Sequence, residues 1–133
     1  VRLPCDTALS AHLSRAASDC LAGAGAGFYI NSDGVAPRLH QGLMASGDRF
    51  VTCAQVSRAL CEPLVAAEHD VLAVEMEGAA VAQVCLDYGV PFAAVRTISD
   101  RADDDAHVDF PAFIQTVASR YADHIVHHLL KTL

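Results

Sequence analysis

VLAVEMEGAAVAQVC, residues 71–85, is the stretch on which the fold turns. Val71 to Glu75 read as a buried strand with apolar neighbours on both faces, as parallel strands have. Met76 to Tyr88 then reads as a helix rich in small residues, among them Gly78, Ala79, Ala80 and Ala82, which let it lie close against a sheet. Gly89 supplies a stop, and Pro91 opens a second apolar run, Phe92 to Ile98. Strand, helix and strand in that order predict a βαβ unit, whose right-handed crossover makes the two strands parallel. In open α/β sheets, ligands bind beyond the C-terminal ends of the strands. Glu75 and Glu77 stand at one such end, and Ser99 and Asp100 at the other.

Upstream, residues 4–22 carry helical spacing at Leu9, Leu13, Ala16, Ala17 and Cys20, with Pro4 suited to a first turn. GAGAGF, residues 23–28, follows this helix and precedes an expected strand, FYIN. A dinucleotide fingerprint needs the reverse order, so the glycines read as a helix stop and loop. NSDGVAP, residues 31–37, is a turn cluster. Arg38 to Ser46 reads as a strand, where Gly42 signals a bulge or a close backbone approach. SGDRFV, residues 46–51, is a loop. Residues 54–68 read as a helix that Pro63 splits into two short pieces. Downstream, RADDDAHVD is a loop, and Asp109 caps a last helix from Phe110 to about Leu130 with Pro111 in its first turn.

The whole chain is 133 residues, one ordinary domain's length. Its hydrophobic content is 53%, with aromatics at 6% and no Trp, which favours α/β packing over an aromatic-rich binding module. A net charge of −7 lacks the basic footprint of a nucleic-acid binder. No apolar run approaches the ~20 residues of a membrane helix, no basic tract suggests an acidic membrane surface, and no secretory signal is visible. Five cysteines at wide spacings, without C-x-x-C, read as reduced thiols of a cytoplasmic protein. The sequence opens VRLPCD without an initiator Met, as a processed chain or a fragment would.

Singly, the polar residues have ordinary explanations. Glu77 suits a helix first turn, where an acid complements the dipole, and Glu75 could do the same or pair with Arg96. Asp100 suits a loop or cap, Met76 a core, and Phe50 a loop anchor. Asp103 to Asp105 read as a solvated loop face rather than an ion site. The seven histidines include no H-E-x-x-H, and His127 and His128 are adjacent on a helix, so no metal site is expected. No G-x-S-x-G elbow occurs. Jointly, three acids at one crevice point to a polar ligand with hydroxyls or protonatable nitrogens.

GLMASGDRFV, then VEMEGAAVAQVC, then VPFAAVRTISDRAD resembles the 5′-methylthioadenosine/S-adenosylhomocysteine nucleosidases of the purine nucleoside phosphorylase/uridine phosphorylase superfamily. The likeness runs from about Leu43 to Phe113. It implies a three-layer α/β/α fold around a largely parallel mixed sheet, present here as a partial sheet flanked by helices. It implies hydrolysis of the N-glycosidic bond of adenine nucleosides, with no cofactor. Asp100 is similar to the general acid that protonates purine N7, and Ser99 would orient it. Glu77 is similar to the carboxylate that grips the ribose hydroxyls, and Met76 to the apolar floor under the sugar. Phe50 would stack on the base, the Val51 backbone would read its edge, and Phe110 would close over it. Glu75 is counted among the substrate-side residues and, with Arg96, fits support around Glu77.

Members of that family are about twice as long, and their N-terminal half supplies the water-activating glutamate. The expectation is therefore that residues 1–133 form the C-terminal portion of one nucleosidase-like domain, acting beside an N-terminal half and as a homodimer. Two alternatives stay open at this point. One is a phosphorylase or another nucleosidase of the superfamily, acting on AMP or futalosine. The other is a half-domain that binds a nucleoside or a partner without turnover.

Overall fold

The computed structural model describes residues 1–23, 37–51, 53–99 and 119–133. Along the chain these form α1 (Thr7–Gly23), β1 (Leu43–Ser46), α2 (Ala54–Ala66), β2 (Val71–Glu75), α3 (Gly78–Asp87) and α4 (Ser119–Leu130). The fold class is α/β, helices around a small parallel sheet, as expected.

The parallel pair among the described residues is β1 with β2, joined through α2. The βαβ unit thus sits one step earlier than the expected one. Residues 92–98 have no ladder among the described residues. A strand exists through its paired neighbour, and here the segment's ties are of other kinds. The Phe92 carbonyl accepts from the Asp6 N–H at 2.7 Å, and Arg96 reaches Glu75 with its side chain. The expected strand FYIN lies outside the described residues.

β1 starts at Leu43 rather than Arg38, because its partner β2 begins at Val71 and Leu43 pairs with Val71. The register then shifts between Leu43 and Met44, leaving Leu72 as the extra residue of β2. Gly42 lies against that residue: a Cβ there would come within 2.8 Å of Leu72 Cγ. The close approach read from the glycine is therefore real, and it falls at the mouth of the strand.

α1 begins at Thr7, not Pro4, since Asp6 is the capping residue and its Oδ1 accepts the Leu9 N–H at 2.7 Å. α2 is one continuous helix, with Pro63 inside it. Proline removes one donor, but its own carbonyl still accepts the Ala67 N–H at 3.1 Å, so the last turn closes. α3 ends as read, with Gly89 in the left-handed region at φ 65°. The last helix is helical from Ser119 to Leu130, and the start expected at Asp109 and Phe110 lies outside the described residues.

The core gathers Leu13, Ala17 and Cys20 of α1 against Ile125 of α4, with Ala93 and Leu129 packed beside them. Small residues at Ala16, Ala17 and Cys20 let the two helices approach closely. Burial there pushes the Tyr121 hydroxyl up to about 12, with nearby Cys20 adding to the effect. All five cysteines remain thiols. No helix among the described residues is long and apolar enough to cross a membrane.

Candidate active site

The two strands end side by side. Ser46, the last residue of β1, is in register with Glu75, the last of β2, and the Gly47 N–H donates to the Glu75 carbonyl at 3.0 Å. α3 starts three residues past Glu75, so its first N–H groups emerge at this same tip and need acceptors.

Glu75 supplies one. Its side chain, 8% exposed, folds back so that Oε2 accepts from the Glu77 N–H at 3.0 Å and the Gly78 N–H at 2.7 Å. Arg96 donates to the same oxygen through Nη2 at 2.5 Å. Ser46 supplies the next acceptor: its Oγ takes the Ala79 N–H at 3.0 Å. Burial alone would push the Glu75 carboxyl up. The hydrogen bonds from Ser46, Arg96, Gly78 and Glu77 outweigh it and bring the carboxyl down to about 2. Arg96 is in turn raised above the usual guanidinium range by its bond to Glu75, against desolvation and with help from Glu77.

The capping role that spacing offered to Glu77 thus belongs to Glu75. Glu77 is the N-cap by backbone alone, at φ −124° and ψ −25°, without a side-chain cap bond. Its carbonyl accepts the Val81 N–H at 3.2 Å. Its carboxylate is turned away from the helix onto Arg96 Nη2, and its side chain is 68% exposed. Gly78 makes this arrangement possible. A Cβ on it would sit 2.7 Å from Glu75 Oε1, inside the space the folded-back carboxylate occupies.

Of the candidate residues, the structure brings together Glu75, Glu77 and Arg96. Met76, 41% exposed, lies between the two acids in sequence. Phe50, 42% exposed, and buried Val51 follow the end of β1 by four and five residues. Ser99 is half-buried past the end of the Arg96 segment. Asp100 and Phe110 lie outside the described residues. Sequence reasoning placed Ser46 where a strand gives way to a loop, without a role at the site, and took Gly78 as a packing residue. The signal for both was available: an acid three residues before a helical Gly, and a serine ending the neighbouring strand.

Chemically, the tip offers an exposed carboxylate on an arginine that a second, nearly enclosed carboxylate fixes in place. An ionised carboxylate is acceptor-only with two oxygens, suited to a pair of adjacent hydroxyls. Among the described residues no cluster of His, Cys, Asp and Glu could hold a metal ion.

The family model described as "Phosphorylase superfamily" matches residues 1–131, and the chain belongs to that superfamily. The chain is 46% identical to the aminodeoxyfutalosine nucleosidase of Helicobacter pylori (strain ATCC 700392 / 26695) over 84 residues, which are 63% of this chain and 34% of that protein. It is 43% identical to the 5′-methylthioadenosine/S-adenosylhomocysteine nucleosidase of Shewanella oneidensis over 82 residues, 58% of this chain and 31% of that protein. Its structure is similar to the crystal structure of the 5′-methylthioadenosine/S-adenosylhomocysteine nucleosidase from Neisseria meningitidis in complex with methylthio-immucillin-A. There the TM-score is 0.76 at 32% identity, over 98% of this chain and 48% of that one. The chain therefore spans about a third of these two curated relatives' length and about half of the solved neighbour.

Proposed function

We propose that the protein carrying this chain hydrolyses the N-glycosidic bond of adenine nucleosides such as 5′-methylthioadenosine and S-adenosylhomocysteine, releasing adenine. Superfamily membership and the nucleosidases among its relatives support this. The observation that carries it is Glu77: a carboxylate left open to solvent at a strand tip, tied to the sheet through Arg96 and Glu75.

In this mechanism Asp100 donates a proton to purine N7. The bond between the base and C1′ breaks, its electron pair goes to the base, and the ribose becomes oxocarbenium-like. Glu77 accepts hydrogen bonds from the 2′- and 3′-hydroxyls, and its charge favours the positive sugar. Water then adds to C1′. Ser99 orients Asp100, Met76 underlies the sugar, Phe50 stacks on the base, the Val51 backbone reads its edge, and Phe110 closes over it. Glu75 acts through Glu77 and Arg96 rather than on substrate, because its side chain is 8% exposed and its Oε2 accepts three hydrogen bonds within the protein. Residues 1–133 serve as the C-terminal portion of one nucleosidase-like domain. The water-activating base comes from the remainder of that domain, and the active protein is a cytoplasmic homodimer.

The test is adenine release by the full-length protein in phosphate-free buffer, with 5′-methylthioadenosine, S-adenosylhomocysteine and aminodeoxyfutalosine compared. Hydrolysis yields adenine and a free sugar without phosphate. Release that requires phosphate and yields a sugar phosphate would make the protein a phosphorylase. Binding with no release from any of the three would make it a non-catalytic nucleoside binder.

A further inference from the structure

Ser46 opens the SGDRFV stretch, but the sequence assigns it no role at the site. It ends β1, faces Glu75 in register, and is half-buried between the strand tips and α3. Its oxygen accepts the Ala79 N–H at 3.0 Å, and its backbone stands beside Glu75, whose carbonyl accepts the next N–H of the chain, that of Gly47, at 3.0 Å. It thus joins three elements, β1, β2 and α3, at the point where the chain turns from Glu75 to Gly78. Glu77 lies within that turn. Its N–H is held by Glu75 Oε2 at 3.0 Å, and its carboxylate by the arginine that Glu75 also holds.

We propose that Ser46 is a positioning residue for the ribose site: by locking the tip of β1, in register with Glu75, to the first turn of α3, it sets where the Glu77 carboxylate stands. This rests on the reading of Glu77 as the ribose ligand. The lock is separable from folding. The Ser46–Ala79 bond lies at an exposed site, where water can replace the lost partner, so removing it loosens the turn at small cost in stability. Placement of a charged hydrogen-bonding group is less forgiving, since bond strength falls steeply with distance and angle.

The experiment uses the full-length protein and two probes: formycin A, an adenosine isostere whose carbon-linked base cannot be hydrolysed, and adenine, which has no ribose. Calorimetric titration of Ser46→Ala should show formycin A binding weakened about tenfold and adenine binding changed by less than about twofold. Ser46→Thr keeps the hydroxyl and should hold formycin A within about threefold of the unaltered protein. Gly78→Ala attacks the lock from the other side by crowding Glu75 Oε1, and should repeat the ribose-selective loss. Equal weakening of both probes by Ser46→Ala, no weakening of either, or failure of Ser46→Thr to restore formycin A would overturn the proposal.

Glu77→Ala separates this from the underlying reading. Loss of formycin A binding there with none in Ser46→Ala rejects the lock and keeps the ribose ligand. Unchanged binding in Glu77→Ala, or no binding by the unaltered protein, rejects the ribose ligand and the lock with it.

Discussion

Glu75 and Glu77 carry the same group two residues apart in opposite surroundings. One is nearly enclosed and accepts from two backbone N–H groups and a guanidinium; the other is open to solvent beside the same guanidinium. The difference has a pH signature. The folded Glu75 carboxyl lies at about 2, below its ordinary 4.5. A depressed acid contributes stability that is fully present above the ordinary value and is lost as pH falls through the folded one. The stability advantage of the unaltered protein over Glu75→Gln should therefore be level above about pH 5 and shrink toward zero near pH 2. Denaturant melts across that range check it; a difference independent of pH would contradict the low carboxyl. At Asp100 the expectation concerns rate. Asp100→Asn should lower adenine release by about 10²- to 10⁴-fold, the usual worth of a general acid, while nucleoside binding is largely kept. Unchanged turnover in a stopped assay would remove Asp100 from that role.

At the scale of elements, what could be read beforehand was what depends on local chemistry. β2 was legible to the residue because VLAVE is a short apolar run followed at once by acids and glycine. The end of α3 was legible because Gly89 can take a left-handed φ that other residues resist. Nothing lies within 4 Å of a Cβ placed on Gly89, so Gly89→Ala should cost about 1 kcal/mol through backbone conformation alone. Thermal melts would show it; an unchanged midpoint would mean that the turn relaxes to negative φ. What could not be read depends on partners. The start of β1 is set by where β2 begins, and residues 92–98, apolar enough for a strand, have no ladder among the described residues. The start of α1 turned on one cap, Asp6, where Pro4 was equally plausible from spacing. Within the site, the types of residue were legible but the division of labour was not. Only the fold-back of Glu75 onto Gly78 shows which acid caps the helix and which faces outward.

For the molecule as a whole, the apolar surface is the main consequence of this arrangement. Val81, Val84 and Tyr88 line one face of α3 and its end at helical spacing, and all are exposed by half or more. Contiguous apolar patches on soluble proteins mark surfaces that are covered in the working assembly. Residues 1–133 produced in isolation should therefore associate. Light scattering should report a mass above 14.0 kDa, and a monodisperse species at 14.0 kDa would contradict this. The same surface agrees with the coverage of the solved neighbour, of which this chain matches 48%.

The central claim is that one nucleoside touches both Glu77 and Asp100. A crystal structure of the full-length protein with formycin A tests it most directly. The account predicts the Glu77 carboxylate at about 2.6–3.2 Å from the ribose hydroxyls, and the Asp100 carboxyl at the same range from the position of purine N7 on that molecule. Side chains of Glu77 and Asp100 facing separate surfaces, with the nucleoside touching one or neither, would contradict it.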